Sequence, residues 1–270
     1  MFKLTKGRIL FLEKLIRIKY SKTAPFKYIS HLNMAQVFTR ALRRADIPVV
    51  ISSGFNPRFR ISFGPPLPLG ISSNSEYLDI RLKEEMRPGE LKDRLNKVLP
   101  LGLEILKAKE IPLSSGSLIK VIDSASYMII LQQKFRKDTI NLRKKDLAGK
   151  NLKTNNLKEE NFGKISKDLA DEINKNIKYF LSQKEIVIEK QTKKGIKSIN
   201  IRPAILSMGV KEHKGPILEL RLWLSIGPNE NLNPRYVIES WLSKLSNFDY
   251  NLNIKQICRD GLYIKNKAVI

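Results

Sequence analysis

The sequence is poor in the residues that build metal centres and disulfides. Among 270 residues it has one cysteine, Cys258, and two histidines, His31 and His213. One cysteine cannot form an internal disulfide or build an iron–sulfur site, and two distant histidines do not make a self-contained transition-metal site. We therefore expect no cofactor in this chain.

Long apolar runs are also missing. The N-terminal stretch Ile9-Leu10-Phe11-Leu12 is interrupted at Glu13 and Lys14. No stretch approaches the roughly 18 apolar residues that a membrane span needs, and this one is too short for a signal sequence. These absences predict a cytoplasmic protein with no membrane partner.

Acidic residues are few relative to basic ones. The chain has 50 Lys and Arg against 26 Asp and Glu, which gives a formal net charge of +24. Since 42% of the residues are hydrophobic, the chain can bury a core, which excludes wholesale disorder. A folded chain with this charge is expected to bind a polyanion, with nucleic acid as the first candidate.

Apolar residues in the first half recur with the periods of strands and helices in the order β-α-β-β-α-β. The predicted strands are Leu15–Tyr20, Pro48–Ser52, Tyr77–Leu82 and Leu103–Ile111, and the predicted helices begin after Ser30 and at Pro88. The Gly- and Pro-rich run over residues 53–70 is expected to be a long ordered loop.

The second half repeats this order. The predicted strands are Tyr127–Gln132, a hairpin of Ile186–Lys190 with Ser198–Ile201, Ile217–Ile226 and Ile254–Tyr263, with helices over Ile165–Leu181 and Pro234–Leu245. The sequence thus predicts an α+β protein of two tandem ferredoxin-like (βαββαβ) halves with antiparallel sheets, over residues 1–120 and 121–270. A polar Lys- and Asn-rich insertion is expected at about 134–164.

Positive charge is concentrated near the start of the chain. The first 60 residues contain 13 Lys and Arg but only two acids. The arginines lie on the first helix and in the loop after it, beside an aromatic residue: Arg40, Arg43, Arg44, Arg58, Arg60 and Phe55. Guanidinium groups pair with phosphates and aromatic rings stack on unpaired bases, so this pattern favours RNA binding. The structural alternative is a solvated helix face beside a loop packed on the core.

Five further residues are candidates for ligand contacts. His31 follows Ser30 at a helix start, where the helix dipole lowers the histidine pKa and the free amides attract anions. A neutral imidazole there can hydrogen-bond a ligand or act as a general base. Taken alone, however, the position favours a capping or structural histidine. Asn56 lies in the tight Gly-Phe-Asn-Pro turn. Lys22 and Arg202 complete the predicted phosphate contacts.

Several short motifs resemble one known family. They are Tyr20-x-Lys22, Ser30-His31-Leu32-Asn33, Arg40-Ala41-Leu42-Arg43-Arg44-Ala45, Ser53-Gly54-Phe55-Asn56-Pro57, Leu67-Pro68-Leu69-Gly70, Glu76-Tyr77-x-Asp79, Ile201-Arg202-Pro203 and Arg259. This pattern is similar to the bacterial domain of unknown function linked to radical S-adenosylmethionine (radical SAM) proteins, which is fused to such enzymes or encoded beside them.

The chain departs from the family pattern at three places. Asn33 stands where an Asp is usual, Arg58-Phe59 replaces a His-Pro pair, and Cys258-Arg259-Asp260 replaces a late His-Arg-Thr. These changes remove an acidic partner for His31 and a second histidine from the loop.

The resemblance implies a context for the charge. It points to an accessory module whose partner enzyme carries the iron–sulfur cluster and S-adenosylmethionine. Our leading hypothesis is a non-catalytic module that binds RNA or a ribonucleoprotein. The alternatives are a metal-independent RNA endonuclease with His31 as general base, and a protein-interaction module that docks on the radical SAM enzyme.

Overall fold

The protein has a mixed α+β fold with mostly antiparallel sheet and few helices. A computed structural model describes residues 4–5, 8–9, 13–134, 167–192, 195–227, 231–245 and 251–270. The chain divides into two compact units. The first comprises Met1–Ala125, Ile226–Asn231 and Cys258–Ile270, and the second comprises Ser126–Ser225 and Leu232–Ile257. The predicted α+β class is confirmed, whereas the predicted insertion at 134–164 lies almost wholly outside the described residues.

The first unit contains six strands and three helices from the N-terminal part of the chain, as far as the structure describes it. The strands are β1 Leu4–Thr5, β2 Arg8–Ile9, β3 Lys14–Lys22, β4 Ile61–Phe63, β5 Ser72–Leu82 and β6 Leu103–Ile111. The helices are α1 His31–Arg44, α2 Pro88–Val98 and α3 Leu118–Val121.

Strand β3 lies between β5 and β6 and pairs antiparallel with both. Strand β4 pairs antiparallel with β5 on its other side, with Ser62 opposite Asp79. Side chains alternate between the two faces of a strand. Ile16 and Ile18 therefore enter the core, where the inward residues of α1 and α2 pack, while Arg17 points to the opposite face.

The two long helices of this unit begin with the signals that the sequence predicts. Ser30 caps α1, because its Oγ accepts a hydrogen bond from the Asn33 backbone N–H at 3.2 Å. Pro88 occupies the first turn of α2, where its missing N–H costs nothing. Both helices bury one apolar stripe against the sheet, in α1 through Met34, Phe38, Ala41 and Leu42 and in α2 through Leu91 and Leu95.

The end of the chain also belongs to the first unit. The last long strand, β12 (Asn251–Ile264), pairs parallel with β5 through Cys258 opposite Ser72 and Arg259 opposite Ser73. A short strand, β13 (Lys267–Ala268), then folds back onto β12. Residues almost 190 positions apart in sequence thus become neighbours.

Two buried ion pairs lie in this unit. Arg259 is fully buried, and its guanidinium binds both carboxylate oxygens of Glu76 and donates to the Pro65 carbonyl at 2.9 Å. Arg17 binds both oxygens of Asp79 at 2.7 and 2.9 Å from the neighbouring strand. Planar bidentate pairs of this kind hold strands in one register, because a shifted strand would leave a buried charge unpaired.

The second unit has the strand order β10-β11-β7-β12. Its elements, within the described residues, are β7 Ser124–Lys134, α4 Lys167–Ser182, β8 Val187–Thr192, β9 Gly195–Asn200, β10 Ile205–Lys214, β11 Ile217–Ser225 and α5 Pro234–Lys244. Strands β8 and β9 form a separate hairpin, and β7 and β12 each cross the boundary between the two units. Among the described residues, no helix is long and apolar enough to cross a membrane.

Most predicted elements are confirmed. Among the exceptions, strand β4 (Ile61–Phe63) lies inside the predicted loop over residues 53–70. The segment Pro48–Ser52 is not a strand. It makes isolated bridges, because Val49 pairs with Leu82 at the end of β5 whereas Ile51 pairs locally with Phe59. Strand β10 was not expected. Its pairing with β11 is interrupted by two register shifts, so its apolar residues do not alternate.

The Arg259–Glu76 pair predicts a large stability effect. Arg259→Ala leaves the Glu76 carboxylate buried without its cation, so the free energy of unfolding should fall by about 3–5 kcal/mol. Urea denaturation followed by circular dichroism measures this change. As a control, Arg94→Ala removes an exposed helical pair with Glu90 and should cost less than about 1 kcal/mol. Equal losses in the two variants would contradict the prediction.

Candidate nucleic-acid interface

Residues 50–60 form a small hairpin that projects from the first unit. The Arg60 N–H donates to the Val50 carbonyl and the Ser52 N–H donates to the Arg58 carbonyl, each at 2.8 Å. Gly54 at the tip has a φ of +126°, which disfavours any residue with a side chain. We call this segment the basic hairpin.

The two phenylalanines of the basic hairpin have opposite roles. Phe59 packs against the core, and the Arg43 guanidinium lies 5.4 Å from its ring centre. Phe55 at the tip is fully exposed, with a relative accessibility of 107%. A large ring in water contributes nothing to folding stability, so Phe55 is available for stacking on a partner.

We call the arginines of the hairpin and of α1, together with Phe55, the basic surface: Arg40, Arg43, Arg44, Arg58, Arg60 and Phe55. The contact that joins the two elements is that of the Arg43 guanidinium with the Phe59 ring. All five guanidinium groups belong to exposed residues. Arg44 donates to the Val98 carbonyl at 3.0 Å, which fixes one edge of the surface on α2. In the part of the chain that the structure describes, none of the five arginines forms an ion pair with a carboxylate.

Lys22, Ser30 and His31 form a second group at the other end of α1. A helix of 14 residues is about 20 Å long, so this group is well separated from Arg44. Lys22 is buried and donates from Nζ to the Ile29 carbonyl at 2.9 Å. The His31 ring packs edge-on against Phe63 at 5.2 Å between ring centres, although the residue as a whole is exposed.

Burial shifts two pKa values of this group in the same direction. Burial lowers the pKa of His31, Glu76 opposes the change, and Lys22 and Arg259 lower the pKa further. Burial likewise lowers the pKa of Lys22. His31 is therefore neutral at pH 7, able to donate from one ring nitrogen and accept at the other.

Two predicted contact residues remain, Asn56 and Arg202. Asn56 is exposed at the hairpin tip next to Phe55. Arg202 belongs to the second unit, where its guanidinium donates to the carbonyls of Leu181 at 2.8 Å and Ile205 at 3.0 Å. These bonds give Arg202 a structural role in joining the end of α4 to β10.

The sequence reasoning did not assign site roles to Glu76 and Arg259, although both lie in motifs of the resemblance. Glu76 and Arg259 are 183 residues apart. A single sequence does not indicate that two such distant residues form a buried pair. Among the described residues there is no group of three His, Cys, Asp or Glu side chains that could hold a metal ion.

The fold and the basic surface define an α+β protein of mainly antiparallel sheet with an exposed cationic hairpin. The chain belongs to the family described as "Uncharacterized protein conserved in bacteria (DUF2344)", whose match covers residues 15–234. This confirms the predicted domain of unknown function. No curated protein matches the chain.

Solved structures give weak similarity. A chain of a Cbf5-Nop10-Gar1 complex matches at 8% identity with a TM-score of 0.40, over 93% of this chain and 48% of that chain. A chain of the archaeal box H/ACA sRNP Nop10-Cbf5 complex matches at 10% identity and 0.39, with the same coverage. An unknown protein from Galdieria sulphuraria matches at 9% identity and 0.23, over 90% and 97% of the two chains. The present chain thus spans about half the length of the first two.

His31 offers a direct test of the charges around α1. Its pKa should lie below the ordinary 6.5, so that the unfolding free energy rises with pH between the folded pKa and 6.5. Lys22→Met removes a nearby positive charge and should raise the pKa of His31, as measured by NMR titration. Lys97→Met, on α2, is the control and should leave it unchanged. A His31 pKa above 6.5 would contradict the structure.

Proposed function

We propose that the chain is a non-catalytic module that binds RNA or a ribonucleoprotein through the basic surface. The observation that carries this proposal is the fully exposed Phe55 at the tip of the basic hairpin, with Arg58 and Arg60 behind it. A protein that gained only stability from this loop would bury the ring. A stacking platform next to cationic groups is the arrangement with which proteins hold single-stranded RNA.

The hairpin is suited to binding because its backbone is ordered before the partner arrives. Phe59 anchors it to the core. Two backbone hydrogen bonds and the bond from the Arg58 N–H to the Ser52 Oγ fix its two sides. Arg58 and Arg60 are two residues apart in an extended segment, so their side chains leave on the same side, opposite Phe59. Both can reach one phosphate backbone without a change in the fold, which lowers the entropy cost of binding.

The accessory role is a separate part of the proposal. The motif resemblance supports a cytoplasmic partner enzyme of the radical SAM class that holds the iron–sulfur cluster and S-adenosylmethionine. With one cysteine in 270 residues, this chain does not supply such a cluster by itself. Two tandem ferredoxin-like halves also remain our proposal for the fold. It is supported by the order β3-α1-β4-β5-α2-β6 in the first unit.

The basic hairpin predicts an effect on binding without an effect on stability. Arg58→Ala with Arg60→Ala should weaken binding to a labelled stem–loop RNA with single-stranded flanks. It should flatten the log–log salt dependence by about one to two units, because fewer phosphate counterions are released. The melting temperature should hardly change, since exposed substitutions cost within about 0.5 kcal/mol. Fluorescence anisotropy across a salt series measures the first effect, and thermal unfolding measures the second.

A matched control removes two positive charges from the second unit. Lys190 and Lys197 are exposed cross-strand partners in the β8–β9 hairpin. The double variant Lys190→Ala with Lys197→Ala should retain most of the affinity and of the salt slope. If this variant loses RNA binding and the hairpin variant does not, the site lies on the second unit. A wild-type affinity that does not depend on salt would refute RNA binding altogether.

The endonuclease alternative has one supporting observation, the neutral imidazole of His31. A general base contributes about 10²–10⁴-fold to a rate, so His31→Ala would abolish cleavage while binding persists. We expect the opposite result, in which wild type leaves RNA intact and His31→Ala only weakens binding. Gel analysis of RNA incubated with EDTA-treated protein measures this. Reproducible cleavage by wild type that is lost in the variant would establish the enzyme.

The docking alternative makes a different prediction for purification from cells. If the basic surface binds the partner enzyme directly, the complex survives nuclease treatment and depends on Arg58 and Arg60. If RNA bridges the two proteins, nuclease separates them.

A further inference from the structure

A polar cleft of about 380 Å³ lies in the first unit at one edge of the basic surface. Strands β4 and β5 form one side, and the segment before α3 forms the other. Its polar lining consists of Arg60, Ser62, Asp79, Arg81, Ser115 and Ser117. Sites for small ligands have volumes of about 300–1,000 Å³, so this cleft has room for one small molecule.

The charges at the cleft favour an anion. Both oxygens of Asp79 are occupied by the buried Arg17, so its negative charge is neutralised. Arg81 pairs with Glu13 at 3.1 Å in a half-exposed position. Arg60 forms no ion pair with a carboxylate of the described residues. The cleft therefore has one positive charge in excess, that of Arg60. The guanidinium group of an arginine matches the geometry of a phosphate.

The remaining lining groups are hydroxyls and apolar side chains. Ser117 precedes α3 but makes no capping hydrogen bond with its side chain, so its hydroxyl is available to a ligand. Leu113 is 46% exposed at the rim, and Leu15 lies opposite in the lining. A phosphate site, hydroxyl partners and an apolar wall are together what a nucleotide needs for its phosphate, its ribose and its base.

We propose that this cleft binds one nucleoside monophosphate unit. The phosphate lies at Arg60 and Arg81, the ribose at the serine hydroxyls, and the base against Leu113. The nucleotide is either free in solution or the phosphorylated end of an RNA strand, since the chemistry recognised is the same. The inference rests on the proposed function in one respect, because Arg60 belongs to both the cleft and the basic surface.

Calorimetric titration of the full chain with AMP and UMP tests the cleft directly. Both should bind, whereas adenosine and inorganic phosphate should bind at least about tenfold more weakly, because each lacks one set of contacts. Arg81→Gln should lower AMP affinity by about tenfold. Ser117→Trp should fill the cleft and abolish binding. The control Ser114→Trp changes an exposed residue on the same segment and should bind normally.

Further experiments distinguish a free nucleotide from the end of an RNA strand, and the cleft proposal from the proposed function. An RNA whose 5′-phosphate increases affinity in wild type but not in Ser117→Trp identifies the strand end, and no such increase identifies the free nucleotide. Binding of AMP and UMP should persist in Arg58→Ala, which lies outside the cleft. If neither nucleotide binds while RNA binding persists, the cleft proposal is wrong and the proposed function stands. If nucleotides bind but RNA does not, the proposed function is wrong and the cleft proposal stands.

Discussion

The buried pair of Arg259 and Glu76 is the constraint on which the first unit depends. A buried guanidinium must have its charge compensated, and here the compensation comes from β5 and from the Pro65 carbonyl. The pair thereby joins the C-terminal strand to the centre of the sheet. It also fixes the later part of the Gly- and Pro-rich run, where Asn231 donates to the Pro66 carbonyl at 2.9 Å. Strand β4 and the basic hairpin precede this anchor directly in the chain.

Helix α1 connects two environments of different character. Its first turn lies near the buried charges of Lys22, Glu76 and Arg259. Burial lowers the pKa of His31, Lys22 and Arg259 lower it further, and Glu76 opposes them. Its last turn carries exposed arginines whose positive charge complements the helix dipole. The helix therefore has one end beside buried charges and a solvated, cationic end. This arrangement separates the residues that hold the fold from the residues that are available to a partner.

The basic hairpin shows the same separation at the level of single side chains. Phe59 and Arg43 give the hairpin its attachment, and Phe55 gives it an exposed ring. The attachment costs the protein no function, and the exposed ring adds nothing to its stability. The cleft beside Arg60 extends this surface toward β5, where Asp79 of the buried Arg17–Asp79 pair is part of the lining. The groups that we propose to bind a partner thus lie on a preorganised scaffold, which lowers the entropy cost of binding.

The sequence alone determined the α+β class, most helix and strand positions, the Ser30 cap and the cationic first helix, because these follow from local periodicity, capping chemistry and composition. It also identified Phe55, Arg58 and Arg60 as neighbours in a stiff turn. Only the tertiary structure decided that Pro48–Ser52 turns into a hairpin, that Lys22 and Arg202 bond to backbone carbonyls, and that Arg259 meets Glu76. These outcomes depend on residues that are distant in the chain. A charge can be buried only where the packed sheet places a compensating partner beside it.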